Sequence, residues 1–347
     1  MIKKRIIALD GMGGDLGPSM VIEGAALACL RRPNLHFRIY GNEKEIMPLL
    51  ERHKQLHSQS DIIHCEIAIT MDEKATQAVR RGRKTSSMWQ AISAVKEKQA
   101  EAVVSAGNTG ALMAMSTLIL KTQSGIDRPA ISAIWPTIKG QCVVLDLGAT
   151  VNTCARQLVQ FAIMGEAYAR IRLQMDRPRV GLLNIGIEDI KGTEEVKNAA
   201  RILKESKLPI DFVGFVEGDG ISRGEADVIV TDGFSGNISL KTAEGTARQM
   251  AHLFREALHS SLMARIGAVF ASRALKKMKA NIDPNNSNGG MLLGLNGVVV
   301  KSHGGSDAKG YSMAIEVADE VAEANIRDYI HSDLKKIDLD KLLNGDS

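Results

Sequence analysis

The hydrophobic pattern of the chain repeats one plan of organisation. The runs Ile6-Ile7-Ala8-Leu9, Ala102-Val103-Val104-Ser105, Cys142-Val143-Val144-Leu145, Val180-Gly181-Leu182-Leu183-Asn184, Ala226-Asp227-Val228-Ile229-Val230 and Gly297-Val298-Val299-Val300 are short and largely apolar. Such runs predict strands buried on both faces. Each leads into a polar, glycine-bearing loop and then into a helical pattern. Helices are expected over 20–30, up to 120, over about 155–171, over 194–205, after Asn237, and from Tyr311 onward. Alternation of strands and helices predicts an α/β protein of three layers, a largely parallel sheet with helices on both faces. In such sheets the loops after the strands collect at one edge, where ligands bind. Six loops in this position therefore predict a shared binding cleft.

The first loop, Asp10-Gly11-Met12-Gly13-Gly14-Asp15-Leu16-Gly17-Pro18, has four glycines in seven positions. Glycine lets the backbone approach a ligand closely, and a helix start behind it suits a phosphate. Pro18 fits the first turn of that helix. The loop lacks the Lys-Ser/Thr of a P-loop, and Leu16 breaks the G-x-G-x-x-G spacing. Alone it reads first as a plain tight turn, with a phosphate loop as the second reading.

Two segments stand outside the repeated plan. The basic cluster Arg80-Arg81-Gly82-Arg83-Lys84 precedes a helix that runs to about Lys98, and reads either as a solvated turn or as a contact for an acidic partner. The segment 238–281 contains no strand pattern. Ala243, Ala247, Met250, Phe254 and Leu258 keep helical spacing, and Leu262, Met263, Ile266, Val269 and Phe270 then crowd together. Arg273, Lys276, Lys277 and Lys279 follow. An apolar tip flanked by cations suits a membrane surface or a partner; a dimer interface or a core helix pair is the other reading. The expected organisation is a single α/β catalytic domain over 1–335, a protruding helical hairpin over 243–281, and a charged tail over 336–347.

Composition narrows the classes. At 347 residues the chain can bury a large core, and 44% hydrophobic with 24% charged residues is ordinary for a soluble protein. Forty-four basic against 40 acidic residues give a net charge of +4, which argues against nucleic acid as the main partner. Cys29, Cys65, Cys142 and Cys154 form no C-x-x-C pair and are expected as free thiols in a reducing cytosol. No signal-peptide pattern and no apolar stretch of membrane-spanning length is seen.

The histidines show no metal-ligand spacing, and no G-x-S-x-G elbow appears. What the loops supply is anion chemistry. Lys191 lies in a glycine-flanked loop before a helix start, and Asn237 ends another such loop. A cation, an amide donor and helix N-termini can hold an oxyanion without metal. Asp10, Asp15, Asp146 and Asp232 are expected to order the loops rather than take protons.

These stretches, with Arg83-Lys84-Thr85-Ser86-Ser87-Met88, Asp232-Gly233-Phe234-Ser235-Gly236-Asn237 and Lys301-Ser302-His303-Gly304, resemble in order the bacterial acyl-acyl carrier protein:phosphate acyltransferases of phospholipid synthesis, the PlsX family. The resemblance runs from about Ile6 to Arg327. It implies a fold related to phosphotransacetylases and isopropylmalate dehydrogenases, a homodimer, and a cofactor-free reaction. In that reaction inorganic phosphate attacks the thioester of acyl-acyl carrier protein to give acyl phosphate. The family's catalytic Lys and Asn fall on Lys191 and Asn237. The substrate and phosphate would meet Asp10, Gly13, Gly14 and Asp15 in the first loop, and Asn108, Thr109 and Gly110 in the second. Asp146, Gly148 and Asn184 follow, then Asp232, Ser235 and Gly236, and finally His303 and Gly304. Arg80, Arg81, Arg83 and Lys84, with Leu262, Ile266, Phe270, Arg273, Lys276 and Lys277, would meet carrier protein or membrane. The family works in the cytoplasm, peripherally on the inner face of the cell membrane, with the downstream glycerol-3-phosphate acyltransferase as a further contact.

The sequence departs from the family after Leu147-Gly148-Ala149, where Thr150 and Asn152 replace the usual Asn and Asp; Glu188-Asp189 keeps the charges usual before the Lys loop. A short-chain phosphotransacetylase acting on coenzyme A thioesters, a metal-dependent decarboxylating dehydrogenase and a non-catalytic membrane scaffold are the alternatives. The dehydrogenase needs an Asp cluster on one helix that the sequence lacks.

Overall fold

The computed structural model describes residues 4–206, 208–275 and 288–335. The first part of the chain supplies β1 (Arg5–Asp10), α1 (Gly17–Arg31), β2 (Leu35–Gly41), α2 (Glu43–Leu50), α3 (Lys54–Ser58) and β3 (Ser60–His64). Then come α4 (Ala75–Gly82), α5 (Ser87–Lys96), β4 (Ala102–Ser105), α6 (Thr109–Leu120), β5 (Ala130–Thr137) and β6 (Gly140–Leu145). The next elements are α7 (Ala155–Arg172), β7 (Arg179–Leu183), α8 (Glu194–Glu205), β8 (Asp211–Val216), α9 (Gly218–Arg223) and β9 (Val228–Val230). The long α10 (Gly233–His259) and α11 (Leu262–Phe270) precede β10 (Gly290–Leu293), β11 (Val298–Lys301), α12 (Ala308–Ala324) and α13 (Ile326–Leu334).

The strands form one sheet of eleven, in the order β3-β2-β1-β4-β11-β10-β5-β6-β9-β7-β8. Alternate residues of the apolar runs feed two cores. Ile7, Leu9, Val143, Leu145, Val298 and Val300 join one core, which includes α1, α7, α8 and α12 residues. Ala8, Val144 and Val299 join the other, beneath α5 and α6. This two-sided burial is why the runs are apolar at consecutive positions. Helix α1 lies close on α12, where a Cβ at Gly24 would stand 2.9 Å from the carbonyl of Ala308 and from Tyr311.

The sheet corrects the expectation of a single loop edge. β3, β2, β1, β4 and β11 are parallel to one another. β6, β9, β7 and β8 are likewise parallel. Three antiparallel pairings join the sets, β11 with β10, β10 with β5, and β5 with β6, so the two sets point in opposite directions. Their registers nevertheless bring the strand ends together. One row crosses the sheet through Leu9, Val104, Val300, Met291, Ser132, Leu145, Val230 and Leu182. Asp10, Ser105 and Lys301 come one residue after the row on one side. Asp146, Thr231 and Leu183 come one residue after it on the other. All six glycine loops thus leave the sheet from nearly one level, as two opposed sets.

Helix α10 begins ten residues before the expected hairpin start, with Gly233 and Gly236 buried in its first turn. Leu240 and Ala243 pack on the second core. Beyond them Met250, Leu253 and Phe254 are exposed, as are Leu262, Met263, Ile266, Val269 and Phe270. In the chain by itself this segment is therefore not a core helix pair. Lys276, Lys277 and Lys279, the rest of the 243–281 hairpin and the 336–347 tail lie outside the described residues. Among the described residues no helix is long and apolar enough to cross a membrane.

Candidate active site

The first set of loops is knitted by the buried carboxylate of Asp10. The hydroxyls of Ser87 and Ser105 donate to it at 2.6 and 2.7 Å. Burial pushes the Asp10 carboxyl up, while these donors pull it back. Ser105 Oγ also accepts from the Gly107 N–H at 3.0 Å. A Cβ at Gly13 would lie 2.7 Å from the Gly107 nitrogen, so the loops after β1 and β4 touch. Gly14 has φ +93°, a conformation that favours glycine, and the Asp15 N–H donates to the Gly304 carbonyl at 2.9 Å. Asn108 caps α6 through the Ala111 N–H and donates to the carbonyls of Met71 and Glu73. Its polar atoms are therefore used in holding the loop, whereas Thr109 and Gly110 are exposed at the helix start.

Lys301 ends β11 on the face shared with Val299 and is 9% exposed. Its ammonium donates to the carbonyls of Ala106 and Ser302, bridging two loops. Burial above all, with Lys241 adding to it, lowers its pKa to about 8 against the opposing pull of Asp10 and Asp15. His303 beside it is also lowered, by burial first and then by Lys301. Its Nδ1 accepts from the Gly305 N–H at 3.1 Å, so the neutral ring carries its proton on Nε2.

The second set is organised by Asp146. Its carboxylate accepts from the N–H groups of Ile131, Gly148, Ala149 and Thr150 and from the Thr150 hydroxyl. Thr150 is thus a loop ligand of Asp146, while Asn152 is exposed. Asp232 caps α10 by accepting from the Ser235 N–H at 2.8 Å. Asn237 Nδ2 donates to the Leu147 carbonyl at 3.0 Å. Gly148 faces it with φ +130°, and a Cβ there would stand 2.9 Å from that nitrogen. Asn184 donates to the carbonyls of Gly186 and Lys191 at 3.1 Å each, closing the 185–192 loop on itself. Its oxygen packs on Gly192, where φ is +93° and a Cβ would collide at 2.1 Å. Asn184 therefore fixes the Lys191 backbone. The Lys191 side chain is exposed, and among the described residues its ammonium has no partner.

The loops carrying Asp146, Asn237 and Lys191 follow β6, β9 and β7, which are adjacent in the sheet. Helix α10 links this set to the first. Lys241 lies one turn beyond Asn237 on the same helical face, about 5–6 Å along it, and acts electrostatically on Lys301 and His303. Lys241 was not singled out from the sequence, and Lys301, Ser87 and Ser105 stood there only within longer stretches, without a role of their own. Lys301 leaves a signal there, a charge directly ending the run Val298-Val299-Val300. Lys241 leaves none, because a lysine on a helix reads as solvated surface. Of the basic cluster, Arg81 is held by Glu73 and the Ala68 carbonyl; Arg80, Arg83 and Lys84 are exposed, as is Arg273.

The architecture is shared with acyl-transferring enzymes. A phosphotransacetylase from Streptococcus pyogenes superposes with TM-score 0.62 at 18% identity, covering 92% of this chain and 94% of that one. The EutD phosphotransacetylase of Staphylococcus aureus gives 0.59 at 18%, covering 91% and 94%. These likenesses define the fold class. Residues 5–328 match the family described as fatty acid synthesis protein. A phosphate acyltransferase of Parvibaculum lavamentivorans is 54% identical over 337 residues, 97% of this chain and 93% of its own. One of Rhizobium meliloti is 53% identical over 331 residues, 95% of each chain. The chain belongs to the phosphate acyltransferase family, and it is an enzyme, an acyltransferase.

Proposed function

We propose that the enzyme moves a fatty acyl group from acyl-acyl carrier protein to inorganic phosphate, giving acyl phosphate for phospholipid synthesis. The observation that carries the reading is the placement of Lys191 and Asn237 on loops after neighbouring strands, with the Lys191 ammonium, unpaired among the described residues, in a loop braced by Asn184. A phosphate oxygen attacks the thioester carbonyl, and Lys191 and the second N–H of the Asn237 amide stabilise the tetrahedral oxyanion. The C–S bond then breaks, the thiolate of the carrier leaves and takes up a proton, and acyl phosphate remains. Binding both reactants in one cleft supplies the orientation such a step needs. The similarity to phosphotransacetylases keeps one rival, a short-chain enzyme using coenzyme A thioesters. Comparing kcat/KM for palmitoyl- or octanoyl-acyl carrier protein with that for acetyl-coenzyme A decides between them. A strong preference for the carrier protein is expected; preference for acetyl-coenzyme A would give the rival the site.

The proposal includes a homodimer on the inner face of the cell membrane, handing acyl phosphate to the glycerol-3-phosphate acyltransferase. The exposed α10–α11 tip supports lipid contact, since Leu262 and Phe270 are 75% and 86% exposed. Replacing Leu262, Ile266 and Phe270 by Asp is expected to abolish sedimentation with anionic phospholipid vesicles while leaving turnover in solution intact. Undiminished sedimentation would remove the tip as the lipid contact.

A further inference from the structure

We propose that Lys301 and Lys241, with His303 beside them, form the seat of the inorganic phosphate nucleophile, on the opposed strand set from Lys191. The assignment rests on the acyl-to-phosphate reading above. Lys301 is a buried ammonium at the end of a central strand, where an uncompensated charge is costly. Two of its three N–H bonds are used, on Ala106 and Ser302, and the third has no partner among the described residues. The carboxylates of Asp10 and Asp15 attract it, but among the described residues neither forms an ion pair with it. Asp10 is engaged by Ser87 and Ser105, and Asp15 acts from its loop.

Into the same neighbourhood α10 brings a second cation. Lys241 pairs with Glu244 at 3.1 Å, is 55% exposed, and repels the charged forms of both Lys301 and His303. Three basic groups from β11, its following loop and α10 therefore lie within electrostatic reach of one another, with Glu244 facing His303. A dianion among them turns that repulsion into attraction and fills the open donor of Lys301. Lys241 follows Asn237 by one turn of α10, so the seat would share that helix with the amide that steadies the oxyanion. This gives the lysines separate tasks: Lys301, with Lys241, holds the nucleophile, while Lys191 faces the acyl carbonyl.

The test is titration of inorganic phosphate into the full-length protein by calorimetry, with steady-state KM for phosphate and for acyl-acyl carrier protein measured in parallel. Lys241→Gln is expected to weaken phosphate binding about tenfold, the size of one lost charge-assisted hydrogen bond, and to leave the acyl-donor KM unchanged. Lys301→Met is expected to lose phosphate binding. If Lys301→Met does not fold, Lys301→Arg and the pH profile decide. As pH rises through about 8 the wild-type Lys301 gives up its proton, so phosphate affinity falls; Lys301→Arg keeps its charge and its affinity to higher pH. Wild-type phosphate affinity in Lys241→Gln, an identical pH profile in Lys301→Arg, or no phosphate binding by the wild type overturns the seat. If the wild type makes acyl phosphate while the lysine variants bind phosphate normally, the seat alone fails. If it makes none, the reading beneath it fails.

Discussion

Lys191→Ala is expected to lower turnover by about 10²–10³-fold with the fold intact, the usual cost of one oxyanion-stabilising donor. The side chain is exposed and, among the described residues, has no partner, so its removal leaves no cavity and orphans none of them. The bracing of the loop lies in the backbone, through the two Asn184 hydrogen bonds and Gly192, and survives the substitution. Asn237→Ala should cost a similar factor, with a small loss of stability because the bond to the Leu147 carbonyl goes with it. Kinetics at saturating phosphate, with circular dichroism to show the fold, check both. Near-normal rates in both variants would remove Lys191 and Asn237 from the chemistry.

Gly236→Ala is the second large effect, and it acts through packing. A Cβ at Gly236 would lie 1.9 Å from the Asp146 carbonyl and 2.8 Å from Thr231 Cγ2. The first contact is with backbone, so the start of α10 must move outward, at a cost of about 1–3 kcal/mol or more. The shift carries Asn237 off Leu147 and Lys241 away from the opposed loops, so turnover falls together with the melting temperature. Among the described residues, Gly245 on the same helix has no neighbour within 4 Å of its added Cβ. Gly245→Ala should therefore be neutral or stabilising by up to about 1 kcal/mol through helix propensity. Equal melting temperatures for the two variants would contradict this account of α10.

Much of the fold was legible because burial on both faces writes consecutive apolar residues into each strand. The bounds of α8, 194–205, are read directly, and in the structure Thr193 caps it by accepting from the Val196 N–H. The opposed directions of the two strand sets were not legible. They depend on β5 and β10, and β10 is four residues in a glycine- and asparagine-rich stretch with no periodic pattern to betray it. Strand direction is a property of the whole sheet and is not encoded in any one loop. Within the site, Asp10, Asp146 and Asp232 hold loops through N–H and O–H donors, as their place before glycines suggested. Asn108 and Asn184, expected against substrate, are seen holding loops: Asn108 ties the α6 start to the carbonyls of Met71 and Glu73, and Asn184 closes the 185–192 loop. Lys301 stands in a family-matching stretch but received no role there, because its weight comes from burial, which three-dimensional packing alone reveals.

The central claim is tested most directly by identifying what the purified enzyme makes from palmitoyl-acyl carrier protein and inorganic phosphate. Mass spectrometry should find palmitoyl phosphate and free carrier-protein thiol in equal amounts, strictly dependent on phosphate and nearly absent with Lys191→Ala. Release of free fatty acid, or thiol release that does not need phosphate, would contradict it.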